Sequence, residues 1–219
     1  MDATPPSPLA ARIRGVYGIT AEEADTARLL QQVEAVLHAG VRVLQYRQKN
    51  AGAELKMEQL RALKPLCTVY DALLIVNDDW QLAAELGIAA VHLGEDDGEL
   101  QDARRALGAG ALIGASCYAS VERARALAPL ADYVAFGAIF GSATKPQARH
   151  ASLDVLREAR AAGLGRPIVG IGGIDADNIG SVLSAGADAA AVIGALFNTP
   201  DPGGAARTLL KAAASSRQG

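Results

Sequence analysis

Short apolar runs alternate along the chain with longer stretches whose apolar residues recur at helical spacing. The short runs fall at 16–19, 41–46, 73–77, 90–93, 112–116, 133–136, 168–171 and 189–193. Their length, their β-branched content and the polar turns around them predict buried strands. Between them the periodicity predicts helices over 24–39, 54–69, 80–86, 100–107, 121–130, 153–162 and 176–185, and a last one over 205–214. Gly40, Gly87, Gly163 and Gly186 stand just past helix ends, where a left-handed C-cap is wanted. Ser120, Ser152 and Asp175 stand where N-caps belong.

Several junctions repeat one idea, small residues and a glycine followed by a buried strand: "HAGVRVLQY", "ELGIAAVHL", "SAGADAAAVI". Eight strands, each followed by a helix, predict an α/β fold with a single TIM (βα)8 barrel. A doubly wound open sheet uses the same alternation. Against it, no G-x-G-x-x-G turn follows the first strand. The barrel is expected over 13–215, with a loose proline-rich leader over 1–12 and a frayed tail over 216–219.

Composition narrows the chemistry. Half of the 219 residues are hydrophobic but only 4% are aromatic, so the core must be built from Ala, Val, Leu and Ile. A net charge of −3 argues against non-specific nucleic-acid binding. Cys67 and Cys117 are far apart and in no metal-like spacing, which suits buried thiols in a reducing cytoplasm. No apolar stretch approaches the roughly 20 residues needed to span a bilayer, and no signal-peptide core is visible. The expectation is a cytoplasmic protein with neither membrane nor nucleic acid as partner. A homo-oligomer is compatible with the chain.

In a barrel of this kind, chemistry gathers at the C-terminal ends of the strands. Strand two ends in Gln45-Tyr46-Arg47-Gln48-Lys49. If it stays extended, Val41, Val43, Gln45, Arg47 and Lys49 share one face, apolar within the barrel and cationic at its mouth. Two cations so close call for a bridging anion such as a diphosphate, unless carboxylates pair them off. Strand three ends in Asn77-Asp78-Asp79 and strand four in His92-Leu93-Gly94-Glu95-Asp96-Asp97. Asp78 and Asp97 make half of an Mg²⁺ site, which takes one or two carboxylates plus substrate phosphates. Asp79 and Asp96 also read as helix N-caps. His92, alone in an apolar strand, reads more readily as a hydrogen-bonded core residue than as a base. His38 and His150 have no visible partner.

Ser116 ends strand five, as a ligand contact or a backbone-bonded hydroxyl. The long polar loop after strand six holds Gly141, Ser142, Thr144 and Lys145, and suits an oxyanion. Gly170-Ile171-Gly172-Gly173 and Ile193-Gly194 follow strands seven and eight, the commonest phosphate position in these barrels. Those glycines also fit tight packing alone. Together the rims offer two anion sites with a metal between them.

The segments "LQYRQK", "LIVNDD", "VHLGEDD", "IGASCYAS", "YVAFGAIFGSATK", "VGIGGI" and "AVIGALF" resemble those of the thiamine-phosphate synthase family, in family order and spacing. The resemblance implies a transferase with Mg²⁺ as cofactor and two phosphorylated small-molecule substrates. It condenses 4-amino-2-methyl-5-hydroxymethylpyrimidine diphosphate with 4-methyl-5-(2-phosphoethyl)thiazole, releasing pyrophosphate and giving thiamine phosphate. By the same resemblance Arg47, Lys49, Asn77, Ser116 and Lys145 hold the diphosphate, with Arg47, Lys49 and Lys145 catalytic. Asp78 and Asp97 bind the metal and Gln45 contacts substrate. Ser142, Thr144, Gly173, Ile193 and Gly194 hold the thiazole phosphate.

The chain departs from the family pattern at three places. Gly94-Glu95-Asp96-Asp97 replaces Gly-Gln-x-Asp, Gly141-Ser142 replaces Pro-Thr, and Gly194 replaces a serine. Other readings are a thiazole tautomerase-like isomerase, an aldolase-like barrel using Lys49 or Lys145 as a Schiff base, and a non-catalytic phospholigand-binding barrel.

Overall fold

The computed structural model describes residues 6–141 and 151–215. Its strands are β1 (Gly15–Ile19), β2 (Val43–Tyr46), β3 (Leu73–Asn77), β4 (Ala90–Leu93), β5 (Leu112–Tyr118), β6 (Tyr133–Phe136), β7 (Ile168–Ile171) and β8 (Ala189–Val192). They pair in parallel in sequence order, and β1 also pairs with β8, so the sheet closes into the expected barrel. The helices are α1 (Thr26–Ala39), α2 (Ala53–Val69), α3 (Trp80–Glu85), α4 (Leu100–Leu107), α5 (Val121–Leu127), α6 (Leu153–Ala161), α7 (Ile179–Ser184), α8 (Gly194–Phe197) and α9 (Pro202–Ser215).

Strand alternation sorts the apolar residues into two cores. Val16, Leu44, Leu74, Val91, Ile113, Val134 and Ala190 face outward under the helices. Tyr17, Val43, Ile75, Ala90, Leu112, Tyr133, Val169 and Ala191 fill the lumen. The period of two along each strand dictates this division.

The glycines expected at helix ends do adopt left-handed conformations, Gly40 at φ 117° and Gly186 at φ 109° among them. Ser120 and Ser152 accept the N–H groups of Arg123 and Asp154 and cap α5 and α6. Asp175 does something else. Its carboxylate accepts from the N–H groups of Asp177 and Asn178, forming a capped turn before α7, so that helix starts at Ile179 rather than at 176.

Three further differences bear on the site. Val41 packs in the outer core and its N–H closes the end of α1 on Val36 O, so β2 begins only at Val43. β5 runs on to Tyr118, with an irregular step against β6 between Ser116 and Tyr118. After β8 the chain turns at once into α8, a short helix that periodicity did not predict.

The leader expected over 1–12 is not loose in its second half. Pro8–Arg12 forms a 3-10 helix, and Ala10 and Ile13 join the lumen core from below. Ser7 is buried because its N–H donates to Asp132 Oδ1 at 2.7 Å and its hydroxyl to Gly110 O at 2.7 Å. The same aspartate accepts from Ile113 N and pairs with Arg104, which anchors the segment under the barrel. The tail expected over 216–219 lies outside the described residues.

Candidate active site

At the opposite end, the strand C-termini surround a well of about 790 Å³. Gln45, Arg47, Lys49, Asn77, Asp78, Asp97, Ser116, Gly173, Ile193 and Gly194 all line it. Ser142, Thr144 and Lys145 lie outside the described residues, as does His150. The chain on either side of them reaches the same rim: Gly141 lines the well, and Ala151 N donates to Ala138 O at 2.8 Å.

The cations are held by local geometry. Arg47 lies just past β2, its N–H donating to the buried Thr20 hydroxyl at 2.9 Å. Its guanidinium sits 3.5 Å from Glu22 and is only 12% exposed. Lys49 Nζ lies 3.0 Å from Asp78 Oδ2. A Schiff-base lysine needs an unpaired amine in an apolar site. Lys49 is ion-paired and partly exposed at the rim, which speaks against that role.

Asp78 has φ 67°, a conformation unusual for a residue with a side chain, and its N–H donates to His92 O across the β3–β4 junction. Backbone of this kind persists only where its surroundings enforce it. Burial opposes ionisation of Asp78, yet the hydrogen bond from Asp97 and the Lys49 ammonium together hold its carboxyl below the usual range. Burial and the bond shared with Asp78 raise Asp97, partly offset by the Gly94 N–H, which donates to Asp97 Oδ2 at 2.7 Å. Two carboxyls so close disfavour each other's ionisation, a cost that a cation between them would relieve. This donor set, two carboxylates offering only oxygen, suits a hard divalent cation such as Mg²⁺. Asp79 caps α3 by accepting from Leu82 N, whereas Asp96 lies on the rim of the well, and the N-cap position of α4 is Glu99.

On the far side of the well the loop after β7 packs against the loop after β6. A Cβ at Gly173, where φ is 61°, would stand 2.5 Å from Gly141 O. Gly173 is therefore required for packing as well as for any close approach of a ligand. Gly194 is different, since a Cβ there would meet nothing closer than Asn198 Nδ2 at 3.5 Å.

The floor of the well carries residues the sequence reading left out. Tyr17 and Tyr133 were not singled out there, yet their hydroxyls meet at 2.9 Å beneath the ligand space. Gln45 Nε2 donates to Tyr17 at 2.8 Å. His92 contacts Tyr133 through Nδ1 at 3.0 Å and Ser116 Oγ through Nε2 at 2.9 Å. Burial pushes the imidazole down to about 4, against the opposing pull of the Asp78 carboxylate. It is a neutral, doubly bonded residue, as the sequence suggested, and a poor general base. Arg123 on α5 was also missed. Its guanidinium binds Ser116 O at 3.0 Å, approaches Glu95 at 3.4 Å and lies over the Tyr118 ring. Only the inward phase of Tyr17 and Tyr133 in their strands could have flagged the tyrosines.

Away from the well, the Cys67 and Cys117 thiols are buried and pushed up to about 12 by that burial. Among the described residues no helix is long and apolar enough to cross a membrane.

Comparison with known proteins agrees with this fold. The family model described as thiamine monophosphate synthase matches residues 16–196. The thiamine-phosphate synthase of Chromobacterium violaceum is 51% identical over 199 residues, covering 90% of this chain and 95% of its own. That of Methylobacillus flagellatus is 52% identical over 190 residues, covering 86% and 90%. Among solved structures, a thiamine phosphate pyrophosphorylase from Pyrococcus furiosus superposes with a TM-score of 0.81 at 32% identity, over 92% of this chain and 96% of that one. With its closed barrel and its paired cations and carboxylates at one rim, the chain belongs to the thiamine-phosphate synthase family of transferases.

Proposed function

We propose that the well joins 4-amino-2-methyl-5-hydroxymethylpyrimidine diphosphate to 4-methyl-5-(2-phosphoethyl)thiazole. The observation that carries this reading is that Arg47, Lys49, Asp78 and Asp97, past the ends of β2, β3 and β4, line the same well as Gly173 and Gly194, past the ends of β7 and β8. That spacing gives a diphosphate and a monophosphate separate places with their reacting ends between.

In this reading Arg47, Lys49, Asn77 and Ser116 bind the diphosphate, and Lys145 completes the set. The bond from the pyrimidine methylene to the diphosphate oxygen breaks, and its electron pair leaves with pyrophosphate. Asp78 and Asp97 would hold Mg²⁺, which when bound neutralises charge on the departing group. Arg47 and Lys49, held at the rim by Glu22 and Asp78, would favour the charge-separated state by turning toward the departing group. The thiazole nitrogen then donates its lone pair to the methylene carbon. It carries no proton, so no general base is required, in keeping with a neutral His92 bonded on both sides.

The test is pyrophosphate release on mixing both substrates. Release matched by thiamine phosphate, and lost when either substrate or Mg²⁺ is left out, is the expected result. Proton exchange on the thiazole without pyrophosphate release would overturn the reading.

A further inference from the structure

The polar groups under the well form one continuous chain across the lumen. It runs from Gln45 on β2 to Tyr17 on β1, Tyr133 on β6, His92 on β4 and Ser116 on β5. Each hydroxyl has one proton to give, and a neutral imidazole has one donor and one acceptor nitrogen. The direction of the chain is therefore decided as a whole, not bond by bond.

One direction satisfies both ends. The Gln45 Nε2 can only donate, so Tyr17 accepts from it and can pass its own proton to Tyr133. Tyr133 then donates to His92 Nδ1, which leaves the imidazole proton on Nε2, directed at Ser116 Oγ. Ser116 accepts that proton and keeps its own for a ligand in the well. At the other end, Ser116 opens on the well that Arg47 and Lys49 also line, and the proposed function places a phosphate oxygen against it. A serine facing an anion must donate. Reversing the chain would turn the Ser116 proton back to His92 and present lone pairs to the anion.

We infer that Gln45, Tyr17, Tyr133 and His92 act as a one-way hydrogen-bond chain that fixes the Nε2–H tautomer of His92 and makes Ser116 a donor to a phosphate oxygen. The inference deepens the proposed function and rests on its assignment of Ser116 to the diphosphate. Tyr17, Tyr133 and His92 are positioning residues, since Ser116 alone among these four would touch the anion.

The fold gives the chain little freedom to rearrange. Tyr17 and Tyr133 are at most 1% exposed. The Tyr133 ring also occupies the space of a missing side chain, because a Cβ at Gly114 would lie 2.0 Å from its Cζ.

Two measurements on the full-length protein test this. Long-range ¹H–¹⁵N NMR reads which imidazole nitrogen carries the proton, and His92→Gln assigns the signal. The expected state is Nε2–H, giving way to a mixture in Tyr133→Phe. An Nδ1–H tautomer in the parent overturns the inference. The second measurement is affinity for inorganic pyrophosphate at fixed Mg²⁺. Ser116→Ala should weaken it roughly tenfold, as for a hydrogen bond to a charged group, and Tyr133→Phe roughly fivefold. Tyr133→Phe should then have no further effect in the Ser116→Ala background, and independent effects would refute the coupling. Unchanged affinity in Ser116→Ala would sink both this inference and the diphosphate role of Ser116. A wrong tautomer with weakened binding would sink the chain alone.

Discussion

Acid should destabilise this protein in part through one histidine. His92 titrates near 4 in the folded chain, against 6.5 when solvated, because its ring is enclosed by the lumen. Between those values the unfolded chain takes up a proton that the folded chain refuses. Stability is therefore unaffected by this group above 6.5, falls as pH drops through the window, and levels off below 4. Each pH unit is worth about 1.4 kcal/mol, so the gap from 6.5 to about 4 gives on the order of 3 kcal/mol at most. The ring borders the well, and water there offsets some of the penalty. We expect about 2–3 kcal/mol for this group. Asp78 works the other way, since its charge favours the imidazolium. The assay is urea unfolding from about pH 7.5 to about pH 4.5, run on the parent and on His92→Gln. Other carboxylates contribute similarly to both, so the difference in slope isolates the histidine. His92→Gln should be less stable at neutral pH and lose less on acidification. Parallel curves would show that burial of this ring is not what the acid overcomes.

Lys49→Ala should lower turnover about 100-fold through the lost charge on the leaving group. The half-exposed pair with Asp78 contributes under about 1 kcal/mol, so unfolding should barely move; a large stability loss with modest kinetic change would reverse the assignment. Gly114→Ala drives a Cβ into the Tyr133 ring, at an overpacking cost of up to about 3 kcal/mol, or a melting point roughly 6–12 °C lower. Tyr133→Leu, which lacks the clashing atoms, should relieve most of it; an equal loss in both backgrounds would discount the clash. Gly194→Ser has room for its side chain and should lower KM for the thiazole phosphate about fivefold by adding a hydroxyl donor. A higher KM would show that the phosphate does not lie there.

Much of this was readable in the chain because local rules and global fold agree. Leu73–Asn77 and Ile168–Ile171 are apolar runs ending in polar or glycine-rich turns, and they are strands with those limits. Arg47, Lys49, Asp78 and Asp97 were legible because a barrel delivers strand ends to one rim. What escaped depends on distance along the chain. The Tyr17–Tyr133 contact joins residues 116 apart, and the tie from Ser7 to Asp132 joins residues 125 apart. No window along the sequence holds both partners, so the tyrosines drew no attention and the leader read as loose. Asp175 misled for a local reason: an aspartate that caps a turn resembles one that caps a helix until the next turn is built.

Ala10 and Ile13 join the side chains that fill the lumen beneath the well, so among the described residues the well opens only at the strand C-termini. Traffic must then run both ways through the same mouth. Whichever reactant rests deeper has to arrive first, and the later arrival stoppers it. The joined product is longer than either reactant and must back out whole before the next cycle, so departure competes directly with loading.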